Sequence, residues 1–217
     1  MIHKNELKDS LYQALAKIGK SLSSPKRLEI LDLLSHSPKS VELLSSLTNM
    51  SIANVSQHLQ VLLNARFVKF KKEGNYVIYE LADTTIVDFL KTLRALSENQ
   101  LIEVQQIKRE FMNANLGLDG VSLAELKDRM NQNEVLLLDV RPKEEYEEAH
   151  IPGAVSMPIE ELEEKISSLP ANYEVVAYCR GPYCLLSVEA VKLLEEKGIH
   201  AYRLENTVQD WYEFIAQ

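Results

Sequence analysis

The chain has 217 residues, with 24 Lys and Arg against 32 Asp and Glu, a formal charge of −8, and two cysteines. That length admits one or two domains, each able to bury a core. No apolar run nears the roughly 20 residues that cross a bilayer, and the start MIHKNELKDS has no signal-peptide core. Two cysteines exclude a disulfide scaffold and fit a reducing, cytoplasmic setting, in which a close pair points to catalysis, redox chemistry or metal binding. The charge is uneven. Residues 1–115 carry 15 Lys and Arg against 12 Asp and Glu, and residues 116–217 carry 9 against 20. Such asymmetry predicts two modules with different partners.

Glu6 to Gly19 reads as a helix with Leu7, Leu11, Leu15 and Ile18 on one face. Ser24-Pro25 starts a second helix, Lys26 to Leu34, whose inward residues are Leu28, Ile30, Leu31 and Leu34. Ser37-Pro38 ends it. Ser40 caps Val41 to Leu47, with Glu42 expected to complete a capping box. After the turn Thr48-Asn49-Met50, Ser51 caps Ile52 to Ala65, with Ile52, Val55, Leu59, Leu62 and Leu63 inward.

Two short helices about such a turn form a helix-turn-helix. The second shows Asn54, Ser56, Gln57, His58 and Gln60 outward, and Ser51 to Ala65 contains no Asp or Glu. An ordinary solvated face usually carries acids. An acid-free set of hydrogen-bonding side chains suits base edges and phosphates in a major groove. Arg66 follows, then Phe67 to Lys72 and Tyr76 to Leu81, joined by Glu73-Gly74-Asn75, which read as a hairpin with a basic tip. Lys69, Lys71 and Lys72 then grip phosphate, or simply solvate a charged hairpin.

From Thr84 to Asn115 the pattern predicts one long helix, with a stripe of Ile86, Leu90, Leu93, Val104, Ile107 and Phe111 interrupted at Ser97 and Gln100. Thirty helical residues reach about 45 Å, too long for so small a domain to cover. The uncovered stripe predicts a second copy of the chain.

On these residues, above all Ser56-Gln57-His58-Leu59-Gln60-Val61-Leu62 running into Ala65-Arg66-Phe67-Val68, residues 6–115 resemble the winged helix-turn-helix repressors of the ArsR family. The resemblance implies a dimer built on the first and last helices, bound to a double-stranded operator. Many members sense metals through cysteines on the helix before the recognition helix, or through Asp and His on the last one. Here Val41 to Leu47 has no Cys or His and residues 84–115 have no His, so no metal is expected.

Leu116 to Gly120 reads as a linker between domains at 1–115 and 121–217. Beyond it come a helix (122–130), strand (135–140), short helix (143–148), strand (154–157), helix (159–168), strand (175–178), helix from 185, strand (200–204) and helix (208–215). Short apolar strands alternating with helices predict a mostly parallel sheet in a three-layer α/β sandwich, with its site at the carboxyl ends of the strands. Cys179 stands there, before the tight loop Arg180-Gly181-Pro182-Tyr183 and a helix. The positive end of that helix lowers a thiol's pKa and makes a nucleophile. A packing cysteine is the plainer alternative. Arg180 alongside and the freedom of Gly181 favour the nucleophile.

Leu138-Asp139-Val140-Arg141-Pro142, Glu145-Tyr146, His150-Ile151-Pro152-Gly153-Ala154 and Cys179 to Cys184 give residues 119–217 the look of a single rhodanese domain. The resemblance implies that Cys179 takes a sulfane sulfur from thiosulfate, a polysulfide or a persulfide. It makes Arg180 and the loop amides anion stabilisers, with Gly181, Pro182 and Tyr183 lining the donor site. Asp139, Arg141, His150 and Trp211 match scaffold positions. A cysteine phosphatase of this fold needs Arg six positions past the nucleophile, where Leu185 stands. Two departures stand out. Glu205-Asn206-Thr207-Val208 replaces the family's two glycines, and Cys184 holds the sixth loop position, where it either packs or attacks a persulfide on Cys179.

The expected protein is therefore a cytoplasmic, homodimeric DNA-binding repressor, without cofactor or membrane partner, whose rhodanese domain senses or processes reactive sulfur. Two alternatives stand beside it: a sulfurtransferase that uses the winged helix as a dimeriser, and a Cys179/Cys184 redox switch.

Overall fold

The computed structural model describes residues 4–115, 118, 120–169 and 173–216. The chain divides into two units, Met1–Gln100 and Leu101–Gln217.

In the first unit the elements are α1 (Lys4–Leu22), α2 (Pro25–His36), β1 (Lys39–Ser40), α3 (Val41–Thr48), α4 (Ile52–Asn64), β2 (Val68–Glu73), β3 (Tyr76–Leu81) and α5 (Thr85–Gln100). Serine caps set two of the helix starts: Ser40 accepts from the Leu43 N–H and Ser51 from the Asn54 N–H. Leu43, not Glu42, holds the third helical position, so the capping box expected on α3 does not form. Asn49 closes α3 at φ +51, a left-handed turn that Asn tolerates. Ile30, Leu31, Leu34, Leu44, Val55, Leu59, Leu62, Phe67 and Ile86 make the core. Ile52, expected inward, is 52 % exposed, because the first turn of α4 runs past that core. The small sheet has order β1-β3-β2 and is antiparallel. Its hairpin turns at Gly74, whose φ of +60 suits the first central residue of a two-residue hairpin turn.

The single helix expected from Thr84 to Asn115 is two helices. Leu101 adopts extended angles between α5 and α6 (Ile102–Ala114). No apolar residue anchors the stripe at Ser97 or Gln100, and the Ser97 hydroxyl donates back to the Leu93 carbonyl at 2.8 Å, a bond that bends helices. The division between units falls at this break, so α6 lies in the second one.

The second unit continues with β4 (Gly120–Val121), α7 (Leu123–Asn131), β5 (Val135–Asp139), α8 (Lys143–Glu148), β6 (Val155–Ser156), α9 (Ile159–Lys165) with a following 3₁₀ turn, β7 (Glu174–Tyr178), α10 (Leu185–Glu196), β8 (Ala201–Leu204) and α11 (Val208–Ile215). Of the expected linker, Leu116, Gly117 and Asp119 lie outside the described residues, and Gly120 already pairs in β4. The strands lie in the order β4-β8-β7-β5-β6, each pair parallel. Alternation along β7 feeds two cores. Val175, Ala177 and Cys179 pack with Leu162 of α9 and Ala190, Val191 and Leu194 of α10. Val176 and Tyr178 pack with Leu126 of α7 and Val208 and Trp211 of α11. These are the layers of a three-layer α/β sandwich around a parallel sheet.

Candidate functional site

The Cys179 loop begins where β7 stops. Cys179 is the next residue on the α10-covered face and is only 1 % exposed. Gly181, buried, turns the chain at φ +123, a conformation that a side chain would strain. The Cys184 N–H then closes on the Gly181 carbonyl at 3.1 Å, and Cys184 becomes the N-cap of α10. This brings the two cysteines together: their sulfurs are bonded, with Cα atoms 6.2 Å apart. Cys184 is half-buried, so it is the more exposed of the two. The Ser187 hydroxyl, fully buried, donates to the Cys184 carbonyl at 3.2 Å and holds the first turn of α10.

Arg180 turns to α8. Its Nε lies 3.0 and 3.1 Å from the two Glu145 carboxylate oxygens, and its Nη2 lies 2.8 Å from one of them. Pro182 offers its carbonyl to Arg203 of β8 at 3.0 Å, and Tyr183 meets the Phe111 ring of α6 edge-on, 6.0 Å between centroids.

Beneath the loop, Arg141 and Asp139 form a buried pair, Nη2 to Oδ2 at 2.6 Å, and Arg141 also binds the Ala149 carbonyl at 2.7 Å. Burial alone would lower the pKa of Arg141. The hydrogen bonds and charge of Asp139 outweigh it and hold the guanidinium above its ordinary value. Burial, aided by Asp139, drives the Tyr178 hydroxyl well above the usual phenol range, so Tyr178 stays neutral and accepts from the Ile151 N–H at 3.1 Å. His150 stacks on Tyr146 with centroids 3.9 Å apart. Trp211 is buried in the second core. Where this chain replaces the family's two glycines, Thr207 and Asp210 form a capping box that starts α11, and Glu205 pairs with Arg203.

On the first unit, Ser51, Asn54, Ser56, Gln57 and Gln60 are exposed on α4, and His58 is half-buried. Gln60 spends its amide on Asn64 at 3.0 Å. Burial first, then the charges of Arg27 and Lys26, lower the His58 pKa and keep it neutral near pH 7. Arg66 is exposed and takes φ +59 in the turn leaving α4. The wing lysines do not form one row. Strand alternation puts Lys69 and Lys71 on one face and Lys72 on the other. Lys69 lies 3.5 Å from Glu80 and Lys71 lies 2.9 Å from Glu73.

Sequence reasoning assigned no site role to Glu145 or Arg203, and placed Phe111 on the stripe expected to meet a second copy. Glu145 lay inside a quoted motif, and a charged residue within the apolar run Ala201 to Leu204 was the available sign for Arg203. Nothing marked Phe111 for its contacts with Tyr183 and Arg203, since it fitted the stripe of a longer helix.

Among the described residues no group of three or more His, Cys, Asp or Glu is placed to hold a metal, and no helix is long and apolar enough to cross a membrane. Residues 24–69 match the family model "Bacterial regulatory protein, arsR family", and residues 122–214 match "Rhodanese-like domain". Over 211 residues the chain is 32 % identical to the HTH-type transcriptional regulator Rv0324 of Mycobacterium tuberculosis, covering 97 % of this chain and 92 % of that one. Its N-terminal part is 39 % identical over 87 residues to another regulator of that organism, Rv0081 (40 % of this chain, 76 % of that one). A further match, 34 % over 92 residues, is to the putative sulfurtransferase YtwF of Bacillus subtilis (42 % of this chain, 87 % of that one). Fold and likeness together define a helix-turn-helix transcriptional regulator. The chain belongs to the ArsR family of these regulators, in the form that carries a C-terminal rhodanese-like domain.

Proposed function

We propose that the protein is a cytoplasmic, homodimeric repressor that reads reactive sulfur through Cys179 and Cys184. The observation that carries this reading is the bonded pair itself, set in one short loop of a transcriptional regulator. A sulfane-sulfur donor gives its outer sulfur to the Cys179 thiolate, forming a persulfide and releasing a thiolate, or sulfite from thiosulfate. The Cys184 thiol then attacks the inner sulfur of that persulfide. A Cys179–Cys184 disulfide forms, and hydrogen sulfide leaves with the outer sulfur. The donor thus supplies the oxidising equivalent, and no separate oxidant is required. Arg180, clamped by Glu145, keeps a positive charge next to the nucleophile in the chain, while Gly181, Pro182 and Tyr183 shape the approach.

DNA is engaged by α4, with Asn54, Gln57 and His58 toward bases and Ser51, Ser56, Gln60, Arg66, Lys69, Lys71 and Lys72 toward phosphates. Leu7, Leu11 and Leu15 of α1, each more than half exposed, supply an apolar face for a second copy.

The test follows both thiols by mass spectrometry and operator binding by anisotropy, with and without polysulfide. Wild type should form the bridge and change its affinity for DNA. Cys179→Ser should do neither, and Cys184→Ser should stop at the persulfide. A Cys179→Ser protein that responds like wild type refutes the sensor. Steady thiosulfate turnover without any change in DNA affinity would instead favour a sulfurtransferase.

A further inference from the structure

The cysteine loop does not end at its sulfurs. Its two residues before Cys184 are both held from outside the loop. The Pro182 carbonyl accepts from Arg203 Nη1 at 3.0 Å, and the Tyr183 ring meets Phe111 at 6.0 Å with the planes at 77°. Arg203 is 5 % exposed, and its guanidinium carbon lies 5.4 Å from the centroid of that same Phe111 ring. Its other arm pairs with Glu205. One aromatic ring of α6 is therefore touched by both the loop and the cation that holds the loop. The Asn115 side chain donates to the Phe111 carbonyl at 2.8 Å and secures the last turn of α6 at that residue.

We propose that Phe111 is the residue through which helix α6 reads the state of the Cys179–Cys184 pair. The proposal rests on the reading of that pair as the sensor. Closing the bridge forms a bond between the two sulfurs, and reducing it with thiols, which are oxidised to their own disulfide, returns two Cys thiols whose sulfurs no longer lie within bonding distance. Tyr183 shares its backbone with Cys184, so a loop that shifts when the bridge opens moves Tyr183 against Phe111. Gly181, at a backbone conformation without side-chain penalty, is where the loop yields. A shifted Tyr183 changes the contact that Phe111 makes, and this difference between states is what coupling requires. The chain then carries it onward. Leu101 alone separates α6 from α5, and α5 is anchored in the winged-helix core through Ile86 and Leu90.

The test uses the full chain, reduced or bridged with polysulfide. Hydrogen exchange is read over residues 102–114, alongside operator affinity and the mass of the cysteine pair. In wild type, bridging should alter exchange in α6 and shift DNA affinity about fivefold or more. Phe111→Ala should bridge as completely as wild type while both responses collapse. Phe111→Leu, which keeps an apolar residue for packing, should behave like Phe111→Ala, and Phe111→Tyr, which keeps the ring, like wild type. Full donor response of α6 and of DNA binding in Phe111→Leu overturns the proposal, as does α6 exchange in wild type that ignores the bridge. Failure of the sensor reading looks different: α6 exchange then follows the bridge in wild type while DNA affinity does not.

Discussion

Glu145 and Arg180 stand 35 residues apart in sequence and meet as a clamped ion pair, three nitrogen-to-oxygen contacts of 2.8–3.1 Å. Their side chains are 2 % and 14 % exposed, so the two partners face unequal penalties when the pair is broken. Arg180→Ala strips these bonds from the more deeply buried partner, a carboxylate only 2 % exposed. Glu145→Gln leaves a guanidinium that can reach water. The first variant should lose about 3 kcal/mol, near the low end for a broken buried pair, and the second clearly less. The single tryptophan, Trp211, lies in the second unit and reports its urea unfolding by fluorescence. Equal losses would show that the asymmetry in exposure does not matter.

His58 makes the stability of the winged helix depend on pH. Its folded pKa lies below the unfolded value of 6.5, chiefly through burial, then through Arg27 and Lys26. Above 6.5 it is neutral in both states and contributes nothing. As pH falls below that value the unfolded chain takes the proton first, so folding weakens until the folded pKa is passed. Melting of the first unit, followed by circular dichroism, should drop between pH 7.5 and pH 6. His58→Gln should show a smaller drop. An unchanged slope in the variant would remove His58 as the cause.

Contacts on DNA should separate by kind. Asn54→Ala or Gln57→Ala should lower discrimination between operator and random duplex by about 1–3 kcal/mol for a side chain that reads a base. Lys72→Ala should weaken both duplexes alike and reduce the salt slope by about one. Anisotropy titrations over a range of salt distinguish the two patterns. Loss of discrimination in Lys72→Ala, with none in Gln57→Ala, would mean that the wrong element has been placed in the groove.

Leu11 and Leu15 are 57 % and 55 % exposed on α1. Replacing both with Glu should leave the fold of a single chain intact and yield a monomer by light scattering. Operator affinity should fall with the loss of the paired half-site. A dimer of unchanged mass would place the interface elsewhere.

Much of the architecture was legible because it rests on local signals. Ser40 and Ser51 cap the helices they precede, Gly74 turns the wing, and α8 and α11 span the residues that their patterns marked. The apolar run Val175 to Tyr178 marked a strand, and the tight loop after Cys179 marked that cysteine as the candidate nucleophile. Where a stripe was read as continuous, local signals misled. Ile86 to Phe111 looked like one seam, but Ile86 and Leu90 pack in the winged-helix core while no residue of α6 is buried, and the helix breaks where no side chain anchors it.

By itself, the sequence determined two modules, their fold classes, the acid-free helix face, and two cysteines five apart, since caps, period and motif spacing are properties of neighbouring residues. Only the tertiary structure decided which partners those residues take. It turned Arg180 to Glu145 and set Phe111 against Tyr183 and Arg203. Such pairings join residues dozens of positions apart. They depend on how the sheet orders its strands and on where a helix ends, and neither is written in any single stretch of chain.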